Sequence, residues 1–223
     1  MNNNLAEEKA DGYFNLIKIA LLLSLITIIY NIGEGLVSIF FGLKDETLAL
    51  FGFGADSFVE VISGLGIFHM IIRMKNGTVE QRDGFERTAL QITGFSFYIL
   101  TAGLVLGAAM NLVLGNKPET TFAGIIISAV SILTMYFLMR SKLNVGKKLN
   151  SDAIVADANC TKTCFYLSFI LLVSSLSYEI LKISYLDIAG SIGIAVIAFR
   201  EGKESFEKSR SEKLSCSCDD ERH

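Results

Sequence analysis

Much of what marks a soluble or secreted protein is missing from this chain. Among 223 residues there is one proline, no tryptophan and two histidines, and only 19% carry charge. The four cysteines are split, with Cys160 and Cys164 inside an apolar run and Cys216 and Cys218 in a charged tail. That distribution excludes the disulfide framework of a small secreted domain. No Cys-x-x-Cys occurs, which weakens the case for thiol redox chemistry. The first apolar run is too long for a signal peptide, and it follows an acidic, Asn-rich segment rather than a basic one, so no cleaved leader is expected. A formal net charge of −3 makes no case for a nucleic-acid partner.

What is present is hydrophobicity in long runs. Hydrophobic residues make up 51% of the chain, and the mean hydropathy is +0.47. Six apolar segments stand out, at about residues 14–41, 48–72, 89–114, 122–138, 153–180 and 188–199. A helix crosses a bilayer with about 20 apolar residues, and only helices or closed barrels satisfy their backbone in hydrocarbon. The runs exceed barrel strands, so the expected class is all-α, a polytopic membrane protein with six transmembrane helices. The last run is short, and its helix is expected to start at Leu186 or Asp187 and continue past Arg200.

Basic residues set the expected orientation. With both termini cytoplasmic, the inner side holds Lys9, Arg73, Lys75, Arg82, Arg87, Arg140, Lys142, Lys147 and Lys148, together with the basic residues of the tail. The outer side holds only Lys44, Lys117 and Lys182. The expected organisation is a cytoplasmic segment (1–12), a six-helix transport domain (13–200) and a partly disordered cytoplasmic tail (201–223). The inner loops at residues 74–86 and 141–151 are charged but not His-rich. The expected location is the cell (inner) membrane of a prokaryote.

Two motifs break the apolar runs. The second segment carries Asp56-Ser57-Phe58-Val59-Glu60, and the fifth carries Asp157-Ala158-Asn159-Cys160-Thr161-Lys162-Thr163-Cys164. Residues four apart share one helix face. Counted at 1.5 Å per residue, Asp56 and Glu60 lie roughly 13 and 19 Å from the outer end of their span. Cys160 and Cys164 lie roughly 12 and 18 Å from the inner end of theirs. Both pairs thus fall near the midplane, where ionisable groups are expensive and point to function. Two carboxylates and two thiolates could complete a tetrahedral set for zinc or a softer ion such as cadmium or mercury.

The cysteines taken alone fit packing as well as metal. Two stacked acids in hydrocarbon repel unless an ion or a shared proton offsets them. Asp157, one turn nearer the cytoplasm than Cys160, reads either as an entry ligand or as a side chain reaching for the inner interface. Lys162 is expected to form a salt bridge to a neighbouring span. Asn31 and Glu34 in the first span read either as support for the metal site or as an interhelical contact. His69 reads as a packed interfacial histidine. Gly103 and Gly107 form a small-xxx-small pair that permits close helix contact, including a homodimer. Cys216 and Cys218 could capture metal near the inner mouth, or be incidental in a solvated end.

These motifs in this order resemble the cation diffusion facilitator family. That family has six spans, an acidic or His residue four before an Asp in the second, and Ala-Asp-Ala-x-His-x-x-x-Asp in the fifth. Here the motifs stand as Asp56 with Glu60, and as Ala156-Asp157-Ala158-Asn159-Cys160 with Cys164. The stretch at Asp187, Gly190 and Ser191 is similar to the family's sixth-span Asp-Pro-x-Gly-Ser without its proline. The approach to Asp56 looks most like the short branch that includes a vertebrate synaptic-vesicle zinc transporter. No counterpart of the family's C-terminal cytoplasmic metal-binding domain is expected from the short charged stretch after the sixth segment. The resemblance implies a secondary transporter, not an enzyme, exporting a divalent metal cation in exchange for protons, with Asp56, Glu60, Cys160 and Cys164 as ligands and no permanently bound cofactor. The alternatives are a membrane thiol oxidoreductase using Cys160 and Cys164, and a membrane protein that holds metal without moving it.

Overall fold

The structure, a computed structural model, describes residues 2–45, 47–76, 84–114, 121–181, 183 and 185–211. Side chains are described from residue 12 onward, except at 152, 153, 156 and 160. The described chain is helical with no strand, in the order α1 (Asn2–Lys44), α2 (Leu48–Lys75), α3 (Gly84–Leu114), α4 (Phe122–Leu149), α5 (Asp152–Leu181) and α6 (Tyr185–Arg210). Among the described residues, five stretches are long and apolar enough to cross a membrane: Gly12–Lys44, Leu48–Lys75, Gly84–Leu114, Phe122–Leu149 and Asp157–Leu181. α6 falls outside that set because its apolar half gives way after Phe199 to Arg200, Glu201, Lys203 and Glu204.

Several helix limits lie beyond the expected ones. Residues 141–149, expected as loop, are the last turns of α4. Asn150 ends the helix in a left-handed conformation (φ 52°), its N–H bonding to the carbonyls of Gly146 and Lys147. Lys147 and Lys148 sit in that final turn, where cations favour the negative end of the helix dipole. The sixth helix, expected to continue past Arg200, runs to Arg210 and so takes in residues 201–210 of the stretch expected as tail, and Gly202, Ser205, Lys208 and Ser209 on them are buried. The 1–12 segment is likewise helical from Asn2. At 141–149 and 201–210 polar residues line one face of a helix whose other face packs.

α2 is the central element, touching α1, α3, α5 and α6, while α4 packs on α1 and α5. The main core is built from Leu50 and Phe53 of α2, Phe97 and Leu104 of α3, Leu167 and Leu171 of α5, and Ile194 of α6. A second cluster, with Ile17, Met70, Ile71, Val145 and Ile154, closes the end where α2 and α4 finish. Apolar side chains such as Phe40, Leu106, Phe137 and Phe169 point outward and are more than half exposed, as lipid-facing residues would be.

Glycine sets the α1–α2 distance. A Cβ at Gly42 would lie 2.6 Å from the Phe51 nitrogen, and one at Gly54 would lie 2.8 Å from the Ile39 nitrogen. Any larger residue would push the two backbones apart. Of the Gly103–Gly107 pair, Gly107 is used inside the chain, against Leu48, and Gly103 faces open space. The N-terminus of α2 is held from α6: the Asp187 carboxylate accepts the N–H groups of Leu48 (3.1 Å) and Ala49 (3.3 Å). Thr47, at the cap position, makes no side-chain cap bond, so Asp187 satisfies donors that the helix start leaves over.

Candidate functional site

The close α1–α2 contact brings two polar clusters together. Asn31 of α1 donates through Nδ2 to Oε2 of Glu60 at 3.0 Å. One turn on, the Glu34 carboxylate accepts from the Tyr30 hydroxyl (2.9 Å) and the Ser57 hydroxyl (3.2 Å). From α5, the Cys164 thiol donates to Oε1 of Glu60. Glu60 is therefore gripped on one oxygen by α1 and on the other by α5. Three helices converge on a single carboxylate.

Asp56 lies one turn from Glu60 on the same helix, 2% exposed, and its Oδ1 has no hydrogen-bond partner among the described residues. Asn31 is 1% exposed, and its Oδ1 is unpartnered in the same sense. Buried oxygens in that state are uncommon and call for an ion, a proton or water. Glu60, Glu201 and Glu34 are all close enough to Asp56 to repel its charge. A field of that sign attracts a cation.

The expected site residues fall out as follows. Asp56, Glu60 and Cys164 share the centre of the bundle, with Asn31 and Glu34 beside them. The Cys160 side chain, and Cys216 and Cys218, lie outside the described residues. Among the described residues, no group of three or more His, Cys, Asp or Glu stands close enough to hold a metal ion as arranged. Both Glu60 oxygens are engaged by Asn31 and Cys164, so an ion binding there would have to displace at least the thiol proton.

Asp157 reaches neither the centre nor the interface. It pairs with Lys142 at 3.0 Å, and Lys142 also donates to the Thr161 hydroxyl at 3.0 Å. Lys162, expected in a salt bridge, instead lies over the ring of Tyr166, its neighbour one turn along, at 5.7 Å. His69 packs against Phe85, ring centroids 4.7 Å apart, between α2 and α3.

Tyr30, Ser57, Thr163 and Glu201 were not expected at the centre. Glu201 accepts from the Thr163 hydroxyl at 3.1 Å. The i, i+4 spacing of Tyr30 and Glu34 was a readable signal. Hydroxyls in spans are too common to single out Ser57 or Thr163, and Glu201 stands in a stretch whose charge suggested a tail.

No family model matches the chain. It is 26% identical over 199 residues to the manganese efflux system protein MneP of Bacillus subtilis, covering 85% of this chain and 65% of that protein. It is 30% identical over 185 residues to an uncharacterized transporter of Methanocaldococcus jannaschii, covering 78% of this chain and 63% of that protein. The chain is similar to transporters. Metal efflux is named for one of the two, and neither is named as an enzyme. The chain spans just under two thirds of the length of either. Apolar helices of crossing length, together with these likenesses, mark an integral membrane protein.

Proposed function

We propose that the chain is a secondary transporter that carries a divalent transition-metal cation out of the cytoplasm in exchange for protons. The observation that carries the reading is Glu60, held between the Asn31 amide and the Cys164 thiol, one turn from the buried and unpartnered oxygen of Asp56. Asp56, Glu60 and Cys164 are the cargo ligands, with Cys160, four residues before Cys164 in the sequence, as the fourth. Asn31 orients Glu60, and its spare oxygen points to a further neutral ligand. Architecture and topology complete the reading: six crossings of cation diffusion facilitator type, both termini cytoplasmic, in the cell membrane of a prokaryote.

Coupling follows from the thiol. Cys164 and Glu60 share one proton in the metal-free state, and metal binds only deprotonated thiol and carboxylate. A cation entering there releases that proton, and its departure lets a proton return. The bonds that bring Asn31 and Cys164 to Glu60 are those of an amide and a thiol, and an incoming divalent ion would join the Asp56 and Glu60 carboxylates beside them.

For the cargo, thiolate favours zinc, cadmium or mercury, whereas the oxygens of Asp56, Glu60 and Asn31 suit harder ions such as manganese. Manganese is also the ion named for the Bacillus subtilis relative. The test is flux of manganese, zinc and cadmium into proteoliposomes under an imposed pH gradient. Uptake of at least one of them that needs the gradient and is lost in Glu60→Gln supports the proposal. Absence of flux for all three overturns it.

A further inference from the structure

Glu34 is a buried carboxylate beside the centre that the transport reading leaves without a task. It is 8% exposed, and the groups that meet it are hydroxyls. Tyr30 reaches Oε1 from the preceding turn, Ser57 of α2 reaches Oε2, and Ser131 of α4 stands beside the same carboxylate. On the other side lies a groove of about 370 Å³ between α1 and α4, walled by Ile29, Val37, Ile126, Ile127 and Val130. Those walls offer an ion no ligand. The polar route from Glu34 leads instead through Ser57, the residue that follows Asp56 in the chain.

The hydroxyl protons around Glu34 have other claims on them. Ser57 Oγ lies 3.2 Å from Glu34 Oε2 and 3.1 Å from the Phe53 carbonyl oxygen, and a hydroxyl has one proton to give. Ser168 gives its proton to the Cys164 carbonyl at 2.8 Å, so Ser131 is the donor in the Ser131–Ser168 bond of 2.8 Å and has none left for Glu34. A proton on Oε2 of Glu34 completes the set: the acid donates to Ser57, and Ser57 donates to Phe53. Without that proton, Ser57 turns its hydroxyl to Glu34. Passing between the two states takes only the rotation of a hydroxyl.

We infer that Glu34 carries an exchanged proton of its own, in addition to the one shared by Cys164 and Glu60. The inference rests on the transport reading and sets its stoichiometry: about two protons are exchanged for each divalent cation, so that no net charge crosses. The titratable groups that face Glu34 are Tyr30 on α1, Asp56 and, one turn on, Glu60 on α2, and Cys164 on α5; α4 presents the Ser131 hydroxyl. A divalent cation at Asp56 attracts the ionised form of Glu34. The O–H bond at Oε2 then breaks, and the proton passes by way of Ser57 to water as the metal arrives. No electron moves.

The test counts protons against metal in proteoliposomes given manganese or zinc. Wild type should exchange about two protons per metal, with uptake indifferent to an imposed membrane potential. Glu34→Gln should still take up metal, but with about one proton per metal, and its uptake should become sensitive to the potential. Glu34→Asp, which keeps an exchangeable carboxyl, should hold the wild-type ratio. Equal exchange of protons and metal in wild type, or an unchanged ratio in Glu34→Gln, overturns the inference and leaves the transport reading standing. Infrared difference spectra in detergent give a readout that needs no flux, and they serve if Glu34→Gln does not fold. Added metal should remove a protonated-carboxyl band, and Ser57→Ala should shift that band, because the acid has lost its acceptor. A band that survives metal, or that stays in place in Ser57→Ala, overturns the inference. Absent wild-type flux overturns the transport reading and this inference with it.

Discussion

Lys142 and Asp157 form an ion pair of 3.0 Å inside the α4–α5 contact, with side chains 3% and 9% exposed. The Thr161 hydroxyl satisfies a further ammonium proton. The pair stands two turns from Cys164 on the helix that carries the proposed thiol ligands. It ties α4 to α5 below the centre and gives Asp157 a counter-charge there.

Breaking this pair on one side should be severe. Lys142→Met leaves a buried carboxylate without its counter-charge, a loss of about 3–5 kcal/mol in comparable sites. Replacing both, as Lys142→Met with Asp157→Leu, should recover most of the stability. Thermal unfolding in detergent checks this. A single variant as stable as the parent would show that the pair is open to water.

The cap on α2 should matter in proportion to its two bonds. Asp187→Ala removes both acceptors from the Leu48 and Ala49 N–H groups, with an expected loss of about 1–2 kcal/mol. Asp187→Asn, which keeps one acceptor, should lose less. Because α2 carries Asp56 and Glu60, flux should fall with stability in the order parent, Asn, Ala. Equal stability of all three in detergent would show that the cap contributes nothing.

Gly42→Val should disrupt the centre from a distance. Its Cβ would meet the Phe51 backbone at 2.6 and 2.8 Å, so α1 must shift away from α2. Asn31 and Glu34 would then lose their grip on Glu60 and Ser57. The expected outcome is loss of metal-dependent flux, with a lowered melting temperature. Parent-like flux would mean that the α1–α2 spacing is not what holds the centre.

The helices were legible because apolar runs of that length have few other solutions. Their ends were not. At residues 141–149 and 201–210 charged side chains occupy one helix face while Lys142, Val145, Gly146, Gly202 and Ser205 pack on the other, and composition alone reads such stretches as loop or tail. The paired spacing of Asp56 with Glu60, and the cost of acids in hydrocarbon, pointed to the centre. What spacing cannot supply is the register between helices. That register puts Asn31 on Glu60 and Lys142 on Asp157, and brings Glu201 to Thr163. Lys162 shows the same limit: a lysine in a span suggested an ion pair, and the ring of Tyr166 one turn away took its place.

The choice of ion tests the thiols. Converting Cys160→His and Cys164→Asp together replaces soft ligands with the nitrogen and oxygen donors that suit zinc, cobalt and manganese. The cadmium-to-cobalt flux ratio should fall in the double variant while transport persists. An identical ratio in both proteins would make the cysteines packing residues.

The most direct measurement is of metal and proton together. Wild-type protein, Asp56→Asn and Glu60→Gln are reconstituted in vesicles carrying a metal indicator and a pH indicator inside, and manganese or zinc is added outside with a pH gradient imposed. The prediction is metal uptake accompanied by proton exit in wild type, weaker when the metal-entry face is acidified, because protons compete for the same carboxylates and thiol. Both signals should vanish in either variant while the proteins remain folded. Metal uptake that is indifferent to the gradient, or that persists in Asp56→Asn and Glu60→Gln, would contradict a proton-coupled carrier centred on Glu60.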